Sequence, residues 1–84
     1  MIYLIFSHAA LAEAINDIIA DKAILWINDD ILSEQQSAEL ATANITVELL
    51  PEFVKPSDEK SVVTALELVE KQAAKGTEIL VEYN

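Results

Sequence analysis

"MIYLIFSHAALAEAINDIIADKAILWIN" (residues 1–28) holds two apolar runs, "IYLIF" at 2–6 and "AILWIN" at 23–28, separated by a segment of different periodicity. The two runs are nearly continuous in apolar character, as strands buried on both faces are. Between them, in 8–20, Leu11, Ile15, Ile18 and Ile19 fall on one face of a helix, and Ser7 is placed to cap its start. A strand, a short amphipathic helix and a second strand predict two adjacent parallel strands joined by a right-handed crossover. That unit sets the fold class.

Working outward, "ITVELL" (45–50) and "EILVEY" (78–83) supply two further strands. Ser33 followed by Gln36 reads as a capping box opening a helix over 33–43, whose stripe of Ala38, Leu40 and Ala41 is weak. The strongest helical pattern runs over 58–75, where Val62, Leu66, Val69 and Ala73 recur at i, i+4, i+7 and i+11. Pro56-Ser57 precedes it, Asp58 and Glu59 occupy its first turn, and Lys71 and Lys75 lie near its end. Gly76, the only glycine, is placed to end it with a positive φ. "SVV" (61–63) could instead open as a short strand ahead of "ALELVEKQAA", but the apolar spacing continues unbroken through it. The two prolines of "PEFVKPSDEK" (51–60) make that segment a loop. The expectation is one domain over 1–84, an α/β fold with a small, mostly parallel four-stranded sheet and three helices in the order β-α-β-α-β-α-β.

Composition narrows the function classes. Fifteen acids face five lysines and no arginine, a net charge of −10, so the surface repels phosphate backbones and direct nucleic-acid binding is not expected. Without cysteine the chain has no disulfide, no thiolate metal site and no persulfide chemistry of its own. No apolar run approaches the roughly 18 residues that span a bilayer, and the start lacks a basic n-region and a cleavage site. A soluble, cytoplasmic protein is expected. At 52% hydrophobic the chain has apolar side chains enough for a core and some left for a partner.

Ligands in an open parallel sheet bind beyond the carboxyl ends of the strands. Three polar groups fall there: Ser7-His8, Asn28-Asp29-Asp30, and Glu52 to Lys55. A neutral His8 in the first turn of a helix could serve as nucleophile or base, although an exposed polar residue at a helix start is the simpler reading. Asp29 and Asp30 are weak candidates to hold a hard cation, and a turn in which an aspartate accepts from free backbone N–H groups is simpler. No metal site and no cofactor are expected, and a single glycine excludes the usual Gly-rich phosphate loops. Trp26 reads as a core residue of the second strand unless that strand's face is a subunit contact. With Phe53 and Tyr83 it makes a set of candidate interface anchors.

Two family resemblances bear on function. "IYLIFSHAALAEAI" resembles the first strand and helix start of mannose-type phosphotransferase IIA domains, which implies a phosphoryl group carried on His8. No glycine follows that histidine here. "KAILWINDDILSEQ" is similar to the TusB/DsrH family, with Asn28-Asp29-Asp30-Ile31 at the family's polar turn and Asp30 in place of glycine. "ANITVELLPEFV" resembles that family's third strand and the acidic segment behind it, and "VVTALELVEK" its last short strand and helix. This second resemblance implies a small subunit of a sulfur-relay complex, active in tRNA 2-thiouridine formation or sulfur oxidation beside DsrE/DsrF-like sister chains. Lacking cysteine, this chain would carry no sulfur itself. The expected function is therefore a non-catalytic subunit working through protein contacts, as a homodimer or a hetero-oligomer with partners more basic than itself. The alternatives are a truncated IIA-like phosphocarrier using His8 and a plain acidic adaptor.

Overall fold

The computed structural model describes residues 1–82, so Tyr83 lies outside the described residues. Four strands, β1 (Ile2–Ile5), β2 (Ile24–Ile27), β3 (Val47–Leu49) and β4 (Ile79–Glu82), alternate with helices α1 (His8–Asp21), α2 (Glu34–Thr42) and α3 (Glu59–Gln72). The strands form one sheet in the order β3-β2-β1-β4, and every pairing is parallel. The expected α/β fold and the β1–β2 neighbourhood are both present, with Ile2 opposite Ile24 and Ile5 opposite Ile27.

Alternation along β1 divides the core. Tyr3 and Ile5 face one side with Leu25 and Ile27, and there they meet Leu11, Ile15 and Ile18 of α1 and Leu40 of α2. Ile2, Leu4 and Phe6 face the other, against Val62, Ala65 and Val69 of α3 and Leu50 and Val54 of the loop that precedes it. Two helices thus cover one face and a single helix covers the other. β1, paired on both edges and packed on both faces, is buried throughout.

Local chemistry sets the helix ends. Ser7 takes an extended backbone and its hydroxyl accepts from the Ala10 N–H at 3.2 Å. α1 ends on Lys22, at φ 52, where the Lys22 N–H reaches Ile19 O and the Ala23 N–H reaches Ile18 O. That is the paired closure usually given to glycine, here made by a lysine in the left-handed region. α2 opens with the expected capping box: Ser33 Oγ accepts from the Gln36 N–H at 3.1 Å, and Gln36 Oε1 from the Ser33 N–H at 3.2 Å. It closes through Asn44 at φ 60, a residue whose short polar side chain tolerates that conformation.

α3 differs from its expected bounds. It is helical through Val62 and Val63, so no short strand precedes it, and it stops at Gln72 instead of running to Lys75. Ala73 is already extended, at ψ 151, because the chain must turn back to lay β4 beside β1. The turn is made over Ala74–Thr77, closed by the Thr77 N–H on Ala74 O at 3.1 Å, and Gly76 supplies its positive φ of 85. The glycine therefore belongs to a turn beyond the helix and not to the helix end itself. Ala65 takes the central core position, while Leu66 is left half-buried at its margin.

Candidate functional site

The carboxyl ends of β1, β2 and β3 meet around one side chain. Asn28, only 1% exposed, is the single buried polar residue among the described residues. Its Nδ2 donates to Phe6 O at 3.0 Å and to Val54 O at 2.8 Å, and its Oδ1 accepts from the Val54 N–H at 2.8 Å. One amide thus ties the segment after β1 and the loop after β3 to the end of β2. Both donors and the amide oxygen are engaged, which makes Asn28 a structural clamp. The sequence places it with Asp29 and Asp30 in one polar group, and the structure separates them.

Asp29 and Asp30 lie exposed in the turn that follows, closed by the Ile31 N–H on Asn28 O at 3.5 Å. Neither carboxylate accepts a backbone N–H of a described residue, and Ser33, not an aspartate, caps α2. No cluster of three metal-ligating side chains occurs among the described residues. His8 is exposed as the first residue of α1, and its ring makes no hydrogen bond to any described residue. A histidine that works as base or nucleophile is oriented through its second ring nitrogen, and no described residue does that for His8. His8, Asp29 and Asp30 share the carboxyl end of the sheet but do not converge on a common partner.

The loop after β3 builds a surface that the sequence only half indicates. Leu50 extends the β2–β3 ladder through its N–H to Ile27 O at 2.8 Å, and Pro51, with no N–H, ends it. Val54 is pulled inward by Asn28, and this turns Phe53 outward to 60% exposure. Between the loop and the first half of α3 lies a hollow of about 520 Å³, lined by Leu50, Phe53, Val54, Ala65 and Leu68 with Asp58 and Thr64 at its rim. Asp58 accepts from the Ser61 hydroxyl at 2.7 Å, and that bond above all holds its carboxyl below the ordinary range.

The aromatic candidates sort differently. Trp26 is half-buried on the face that α3 only partly covers, Phe53 is exposed at the hollow, and Tyr83 falls outside the described residues. Ile24, 38% exposed on the same face as Trp26, and Leu68 on the flank of α3 were not singled out from sequence. The period-2 pattern of β2 assigns Ile24 to that face, but not the lack of a helix above it. No helix among the described residues is long and apolar enough to cross a membrane. No family model, no curated protein and no solved structure matches this chain.

Proposed function

We propose that this chain is a protein-binding subunit without catalytic chemistry of its own, acting in a sulfur-relay complex as the TusB/DsrH resemblance implies. One observation carries the general reading. Beside the carboxyl end of the sheet the chain presents an exposed Phe53 over an apolar hollow, while His8, Asp29 and Asp30 stand apart and unsupported. Exposed aromatics over apolar pockets are the anchors of protein interfaces, whereas catalysis needs polar groups that orient one another. The sulfur-relay part has narrower support. It stands on "KAILWINDDILSEQ", on "ANITVELLPEFV" and on element order, because Val62 and Val63, matched to a short strand in that resemblance, are helical here.

The partners on this reading are DsrE/DsrF-like chains that bear the persulfide-carrying cysteine this chain lacks. The test is deletion of the gene in its own host, with 2-thiouridine in tRNA and sulfur oxidation both measured. Loss of either, restored by the wild-type chain and equally by His8→Ala, is the expected result. Unchanged thiolation and sulfur oxidation would remove the sulfur-relay assignment. Restoration by wild type but not by His8→Ala would favour the phosphocarrier alternative.

A further inference from the structure

Parallel sheets are stable with both faces covered, and here one half-face is bare. α1 and α2 cover one side of the sheet, but on the other α3 packs over β1 and leaves the β2–β3 half open. There Ile24 is 38% exposed, Trp26 half-buried and Glu48 exposed. A second hollow of about 310 Å³, lined by Ile24, Trp26, Glu48 and Gln72, lies at this open half. It lies next to the first along α3, with no lining residue in common. Gln72 sits one helical turn beyond Leu68 on α3, and Glu48 sits two residues before Leu50 on the same face of β3. End to end, the two hollows make a trough along α3, flanked by Lys60, Thr64, Leu68 and Gln72 at four-residue spacing and by the edge strand opposite.

We infer that this trough is the seat of an amphipathic helix from a basic partner protein. This rests on the reading of the chain as a protein-binding subunit and says where and what it binds. The other face shows which kind of element fills such a space, since two helices, α1 and α2, pack on it. α3, at 14 residues, is about 21 Å long, so the trough takes a helix of three to four turns. The charge of the walls selects its flanks: Glu48, Glu52 and Asp58 outnumber Lys60 and the amino group of Met1, three charges to two. Lysine or arginine beside an apolar stripe meets that pattern. A second copy does not, because each copy carries a net charge of −10.

Trp26 is the only tryptophan of the chain and lies on the trough floor, so its emission reports occupancy directly. The full-length protein is titrated with three tryptophan-free 14-residue peptides: a leucine–lysine amphipathic helix, its leucine–glutamate counterpart, and a scramble of the first that keeps its charge but breaks the stripe. The expected result is a saturable blue shift with the first peptide, at least tenfold tighter than with either other. Leu68→Lys, at a half-buried position on the flank of α3, weakens it tenfold with the far-UV circular dichroism unchanged. Equal binding of the scramble, or a silent Trp26, would overturn the assignment. A blue shift driven by protein concentration alone would also overturn it, since the occupant would then be a second copy. A hetero-oligomer recovered from cells together with a silent Trp26 would refute the trough alone and leave the protein-binding reading standing.

Discussion

Replacing Asn28 tests whether one buried amide holds the carboxyl end of the sheet together. The Asn28→Ala variant loses three hydrogen bonds, to Phe6 O and to both backbone groups of Val54. At about 1 kcal/mol net for each, the loss is about 3 kcal/mol, and stranded backbone groups with no access to water would raise it. A domain of 84 residues holds on the order of 4–13 kcal/mol in all, so the variant gives up a large fraction of its stability. At this size each kcal/mol moves Tm by roughly 4–8 °C, so Tm should fall by roughly 12–24 °C. Asn28→Asp keeps the shape and the acceptor for Val54 N–H but turns a carboxylate oxygen toward two carbonyls. Burial beside those carbonyls raises the folded-state pKa of the new carboxyl, so the folded state holds its proton more tightly than the unfolded state does. Relative to wild type, that variant is therefore most stable below the unfolded carboxylate pKa of about 3.9 and loses stability as pH rises through the folded value. Urea unfolding followed by circular dichroism at pH 4 and pH 7 measures both effects. A loss below about 1 kcal/mol for Asn28→Ala, or an Asn28→Asp deficit that does not grow with pH, would refute the clamp.

Three further outcomes follow from the same structure. Gly76→Ala should cost about 1 kcal/mol, because a Cβ there meets nothing within 4 Å and the penalty is that of the positive φ alone; Gly76→Asn should cost less, and thermal melts compare them. Tyr3 should ionise above its usual 10.0, from burial first and then from the charges of Asp21 and Asp17. Its contribution to stability is thus intact below pH 10 and lost as pH rises through the folded value, which ultraviolet titration of a Tyr83→Phe variant isolates. His8→Ala should leave the unfolding free energy within about 0.5 kcal/mol of wild type, since the ring is exposed and Ser7 does the capping; a larger loss in urea unfolding would show a partner for the imidazole.

The fold was legible because β1 is central. A strand buried on both faces reads as a continuous apolar run, and "IYLIF" and "AILWIN" flank a helix too short to link anything but neighbours. The Ser33–Gln36 box was equally plain, because both of its bonds are local. Where tertiary demands decide, local sequence is a poor guide. The end of α3 is set by where β4 must begin, not by the lysines and glycine that follow Gln72. Lys22 closes α1 without the glycine that would have announced it. Asn28 is indistinguishable from Asp29 in sequence, and only the arrival of Phe6 and Val54 at the same point makes it core. Trp26 and Phe53 stand out in the sequence as aromatics in or just beyond strands, but the hollows they line depend on a single helix, α3, packing over β1, which periodicity does not encode.

The central claim, that this chain works through protein contacts, is tested most directly by native mass spectrometry of the tagged protein recovered from its own cells at endogenous level. The account predicts a defined hetero-oligomer well above the 9.2 kDa of the single chain, containing a partner with a basic amphipathic helix. It also predicts that this assembly survives His8→Ala and is lost in Leu68→Lys. Recovery of the 9.2 kDa monomer alone, carrying a phosphoryl group on His8, would contradict it.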